Sequence, residues 1–195
     1  MLQHATKVIA RRSFGAAAAT SQRHPVYNAF SAILQQQNVV LRGLSDDEYS
    51  FRCPTLHAST GGHVRHSLDH LRRSLALTDA HIRYDVRERN TLVEQNRTAA
   101  IDEVDAILAA ATASRVDAAQ LHQPVHAAFM LSAEGTQVDL ASTVEREMAF
   151  AVHHAIHHNA LIKVIISTHF PHVKLPPTFG VAPSTLNFQA THPTG

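Results

Sequence analysis

Seven of the 16 histidines in this chain of 195 residues fall in two short runs. His63, His66 and His70 stand in Gly-Gly-His-Val-Arg-His-Ser-Leu-Asp-His. His153, His154, His157 and His158 stand in Val-His-His-Ala-Ile-His-His-Asn. Both runs have the spacing of a helix face, on which residues three and four apart hold their Cβ atoms about 5–6 Å apart. Two imidazoles at i, i+4 can hold one metal ion, and a third can reach it from a neighbouring helix. The chemistry this predicts is a three-histidine metal site inside a helical bundle. Three neutral nitrogen ligands leave an open coordination position, as catalytic zinc sites do.

The motifs that do not occur narrow the chemistry further. His-Glu-x-x-His is absent, which excludes a zincin-type protease, and no Glu-x-x-His pair supports a ferritin-like di-iron site. A Gly-rich phosphate loop, Cys-x-x-Cys and Gly-x-Ser-x-Gly are absent too. The single cysteine, Cys53, excludes an internal disulfide and reads as a buried, unreactive thiol in a loop before Pro54. A net charge of +1 gives no argument for nucleic acid or an anionic membrane as partner. No stretch approaches the ~18 apolar residues of a membrane span.

The elements that must position the histidines follow from apolar periodicity. Pro25 suits the first turn of a helix. From there Tyr27, Phe30, Ile33, Leu34, Val40, Leu41 and Leu44 recur at mostly three- and four-residue spacing, which predicts the first helix. Ser45 to Gly62 reads as a loop. A second helix starts near His63, with Ser59 or Thr60 as N-cap, and carries Val64, Leu68, Leu71 and Leu75 as its stripe. After a linker from Ala80 to Asn90, a third helix capped by Asn90 or Thr91 runs to about Ser114. Alternation through Val125, Ala127, Phe129 and Leu131, a turn at Ala133-Glu134-Gly135-Thr136, and Val138 and Leu140 predict a small β-hairpin between the third and fourth helices. Ser142, with Glu145 three residues on, gives a capping box for the fourth helix, which runs to about Ser167. The tail from Thr168 reads as irregular, with Phe179 to Pro183 apolar enough to pack on the helices. The expected fold is an all-α four-helix bundle with an inserted hairpin, in one domain over residues 23–195.

That pattern chooses between the histidine pairs of the fourth helix. Val144, Met148, Ala151, Ala155, Ile162 and Ile165 share one face. His158 falls inside that stripe and His154 at its edge, so this pair should be buried, while His153 and His157 lie on the opposite side. Glu147 lies near the His154 edge, two turns earlier, as a candidate base or orienting group, and Asp69 is a second candidate orienter. In the second helix His63, His66 and His70 point the same way, and periodicity cannot rank them.

These elements and motifs together resemble the DinB-like family of metal-dependent four-helix bundles, over most of residues 26–190. Gly62-His63-Val64-Arg65-His66-Ser67-Leu68-Asp69-His70 is similar to the family's second-helix stretch, which implies His66 as the first ligand. His154-Ala155-Ile156-His157-His158-Asn159 is similar to its fourth-helix motif, which implies His154 and His158 as the other two. Tyr84 to Arg89 and Phe179 to Leu186 resemble blocks of one bacterial branch. Where the family pattern continues with Arg and, two residues later, Gln, this chain has Asn159 and Leu161. The resemblance implies one divalent metal ion, zinc or nickel before others, although three imidazoles also suit iron or copper. It further implies transfer of a low-molecular-weight thiol onto an electrophile, and a homodimer. In such a site the ion would stabilise a substrate thiolate for attack. Arg65 and Arg87 could hold substrate carboxylates, although the plainer reading of both is a solvated arginine. Two alternatives keep the site: a metal-dependent hydrolase working through bound hydroxide, and a metal-binding scaffold without turnover.

The first 45 residues contain no Asp or Glu, but carry Lys7, Arg11, Arg12, Arg23 and an alanine run from Ala16 to Ala19. Such a segment looks like a mitochondrial transit peptide, with Arg12-Ser13-Phe14 resembling its cleavage region. Residues 1 to about 22 are therefore set outside the fold, and the expected location is mitochondrial, or cytoplasmic if the segment is a plain tail.

Overall fold

Four long helices carry the apolar core, and each owes its limits to local chemistry. The structure, a computed structural model, describes residues 23–76, 80–86, 91–113 and 118–192. The predicted targeting segment, Arg87 and the predicted end of the third helix at Ser114 lie outside these. Helix α1 (Pro25–Arg42) starts with Pro25 in its first turn and His24 at its N-cap, and stops at Gly43. Its stripe from Tyr27 to Leu41 is buried, with Leu44 just beyond it. Helix α2 (Asp46–Ser50) occupies part of the segment predicted as loop. It is held by a capping box in which Ser45 accepts from the Glu48 N–H and Glu48 accepts from the Ser45 N–H. Two-residue strands β1 (Arg52–Cys53) and β2 (Ala58–Ser59) pair antiparallel and lead into helix α3 (Thr60–Leu75). Ser59 caps α3 by accepting from the Gly62 N–H.

The third predicted helix is broken in two. A single turn, α4 (Leu92–Gln95), precedes α5 (Arg97–Ala113), and Asn96 between them takes an extended backbone. The Asn96 carboxamide accepts from the Ala99 N–H, so it starts α5 as a side-chain cap would. After the short α6 (Ala118–Leu121) comes the β-structure, and then the longest helix, α7 (Val144–His169). Helix α3 packs on α7 and α5, and α1 packs on α5 and α7, so the four long helices enclose one core. Among the described residues the chain is thus α-rich, and no helix is long and apolar enough to cross a membrane.

The sheet is larger than a hairpin. Strands β4 (Pro124–Met130) and β5 (Gln137–Thr143) pair antiparallel, with Ala127 opposite Leu140. A third strand, β3 (His81–Arg83), adds in parallel to the other edge of β4, with Ile82 opposite Ala127. It lies in the segment predicted as linker. Strand β5 also runs past the predicted helix start. Ser142 pairs with Val125 in the ladder, and Thr143 caps α7 instead, accepting from the Arg146 N–H. The C-terminal tail carries a further helix, α8 (Pro183–Thr191), where an irregular course is expected from sequence; Pro183 opens it. Just before it, Phe179 is fully buried in the main core.

One polar contact ties three of the helices behind the histidines. The Gln37 carboxamide of α1 donates to Ser67 Oγ of α3 at 2.7 Å and to Asn159 Oδ1 of α7 at 3.0 Å. All three side chains are buried. Ser67 follows His66 and Asn159 follows His158, so this contact fixes the height of α3 against α7 beside both rings.

Candidate metal centre

The spacing of α3 and α7 decides which histidines meet. On α7, His153 and His157 are exposed, His154 is half-buried and His158 is buried. On α3, His66 is half-buried and His70 is buried. The Nε2 atoms of His154 and His66 lie 3.1 Å apart, and those of His158 and His154 lie 3.2 Å apart. One ligand atom from each of His66, His154 and His158 lies within 4.8 Å of the others, and they form the single such three-residue group among the described residues. Residues from two helices, 88 positions apart in the case of His66 and His154, therefore converge on one point.

The geometry suits an ion better than hydrogen bonds alone. Each nitrogen of a neutral imidazole carries either a proton or a lone pair. His154 Nε2 faces two other Nε2 atoms, so hydrogen bonding alone would require its one lone pair, or its one N–H, to serve both. A divalent ion accepts all three lone pairs. With zinc–nitrogen bonds of 2.0–2.1 Å, tetrahedral ligand atoms stand about 3.3 Å from one another, and the two short separations here are close to that. Electrostatics point the same way. Burial first, then the neighbouring His66, His154, His63 and His157, push the His158 pKa down to about 2. Burial first, and then His157, also lower that of His63. Both rings are neutral near pH 7, the form that ligates.

The other two histidines of α3 fall outside the trio. His70 lies between the rings of His154, at 4.0 Å between centroids, and Tyr84, at 4.6 Å. Beyond it Tyr84, Phe129 and Phe150 form an aromatic wall on the sheet side. His63 meets the far side of His158, Nδ1 to Nδ1 at 3.0 Å.

Glu147 is fully buried and its carboxylate is occupied. Tyr84 Oη donates to Oε2 at 2.9 Å, while Ser142 Oγ and Arg146 donate to Oε1 at 2.6 and 2.7 Å. Burial and the Glu147 charge hold the Tyr84 phenol above its ordinary range, so it stays a donor. These contacts make Glu147 the joint between α7, β5 and the segment after β3. Asp69 is taken by Arg65 and Arg72. Arg65 is itself only 12% exposed and also pairs with Glu94, so it is a structural cation and not a free anchor for substrate. Cys53 is buried, as its setting in the sequence predicts, with its sulfur 3.6 Å from His169 Nε2. Sequence reasoning passed over Tyr84 and Ser142 as partners of Glu147. Their signal is available only once β3 and β5 are placed. No family model, no curated protein and no solved structure matches this chain.

Proposed function

We propose that this chain is a divalent-metal protein of the DinB-like kind, a four-helix bundle with an inserted hairpin, and that His66, His154 and His158 hold the ion. The observation that carries the reading is the convergence of three Nε2 atoms from two helices, two of the separations being 3.1 and 3.2 Å. Zinc or nickel is the expected ion, with iron or copper compatible with the same donors.

The reaction we propose is transfer of a low-molecular-weight thiol onto an electrophile. A bound ion would supply a fourth position where a thiol loses its proton more readily than in water. The chain's own residues do the rest. The rings of α3 and α7 hold the donor set, Gln37 sets the helix spacing, and the wall of Tyr84, Phe129 and Phe150 limits water on one side. Glu147 takes a positioning role here, not that of a base. The test is elemental analysis of the purified protein beside a His154→Ala/His158→Ala variant, followed by turnover assays with and without a thiol. About one metal ion per chain, lost in the variant, supports the site. Turnover that depends on thiol supports the reaction. Metal binding with thiol-independent hydrolysis would replace the reaction by hydroxide chemistry, and no turnover at all would leave a metal-binding scaffold. No metal in either protein after reconstitution would overturn the reading.

A further inference from the structure

We infer that His63 is a positioning residue, which accepts the Nδ1–H of His158 and so aims the His158 Nε2 lone pair at the point shared with His66 and His154. The inference rests on the metal-binding reading and adds to it the group that sets the tautomer of one ligand.

The argument starts from the number of protons. A neutral imidazole has one N–H, and a ring that ligates through Nε2 must carry its proton on Nδ1. A ligating histidine usually hands that proton to a carboxylate, a carbonyl or water, which fixes the ring and its tautomer. For His158 the atom at that place is His63 Nδ1, 3.0 Å from His158 Nδ1. Two Nδ1 atoms so close need one proton between them. If His158 supplies it, His63 accepts, and the His63 proton must sit on Nε2. That atom is buried and meets no hydrogen-bond partner among the described residues. Leaving a buried imidazole nitrogen in that state costs about 1–3 kcal/mol. A ring kept at such a cost is better explained by what its other nitrogen holds than by packing.

The chemical result differs from a carboxylate partner. An anion beside His158 would raise the basicity of the ligand and soften the ion. A neutral acceptor fixes the ring while leaving the full charge of the ion on its open position, which favours deprotonation of a bound thiol.

The test is zinc titration of the parent, His63→Leu and His63→Gln, with 15N spectra of the histidine rings in the zinc-loaded parent. The expected spectrum shows His158 protonated on Nδ1 and His63 protonated on Nε2. His63→Leu should bind zinc about 10–100-fold more weakly. His63→Gln, whose carboxamide oxygen can still accept, should recover most of that loss, which a merely space-filling role would not produce. Circular dichroism confirms that each variant is folded, and the parent's ring spectrum decides the matter if His63→Leu is not. Equal zinc affinity in His63→Leu, or a proton on His63 Nδ1, overturns the inference alone. A His63→Gln variant as metal-free as the His154→Ala/His158→Ala protein makes His63 a ligand and overturns it too. A parent that takes up no zinc overturns the metal reading itself.

Discussion

Acid should unfold the metal-free protein through His158, and the size of the effect can be worked from the site. The ring is 8% exposed, and its pKa is pushed down to about 2 in the folded chain. In the unfolded chain it returns to about 6.5. Between those values the unfolded state binds a proton that the folded state refuses, so stability falls as pH falls. Above pH ~6.5 the ring contributes nothing to the pH slope. Below it the loss grows by about 1.4 kcal/mol per pH unit, reaching about 2.7 kcal/mol at pH 4.5. His63 adds in the same direction, since its pKa is also lowered by burial. Urea unfolding in the presence of a chelator, at several pH values from 7.5 to 4.5, measures the whole effect. His158→Gln isolates the share of one ring. The variant should start less stable than the parent at pH 7.5, and the gap should close by about 2–3 kcal/mol by pH 4.5. Parallel stability curves for the two proteins would refute the account of a ring held neutral by burial.

Three other outcomes are expected. With zinc bound, metal content measured after dialysis should fall once acid unfolds the chain, because the freed histidines then take up protons below ~6.5; full retention by acid-unfolded protein would count against three imidazoles. Glu147→Ala should cost about 1–3 kcal/mol in urea unfolding for each buried donor it strands, Tyr84 Oη being the most enclosed. A loss below ~0.5 kcal/mol would mean that the joint between α7 and the sheet does not matter. Gly180→Ala should destabilise by about 2 kcal/mol or more. Gly180 has φ +64°, and an added Cβ would stand 2.7 Å from the Asn159 carbonyl oxygen. A melting temperature equal to the parent's would show that the tail does not need to cross α7 at this point.

Much of the scaffold is legible in the sequence because long amphipathic helices advertise themselves. The stripe from Tyr27 to Leu41 and the stripe of Val64, Leu68 and Leu71 are buried where periodicity puts them. The same arithmetic separates His154 and His158 from the exposed His153 and His157. It stops at α3, where His63, His66 and His70 share one face in sequence but meet three different surroundings in space. Only the lateral position of α7 distinguishes them, and no local pattern encodes that. Strand β3 is hidden for a related reason. Three residues, His81 to Arg83, are too short to show alternation, and they become a strand by pairing with β4 some 45 positions later. Helix α2 was within reach, since Ser45-Asp46-Asp47-Glu48 is a capping box in plain sight. The start of α7 shows the opposite error. Ser142 and Glu145 match a capping box, yet the ladder with β4 holds Ser142 in extended backbone and moves the cap to Thr143.

The 88 positions between His66 and His154 also set a schedule for the growing chain. At about 5–20 residues per second, the ribosome needs roughly 4–18 s to make the stretch between them. Throughout that interval His63, His66 and His70 have no α7 to meet. The three histidines can therefore converge only once α7 has cleared the exit tunnel. A nascent or truncated chain that stops before α7 carries the histidines of α3 but no centre.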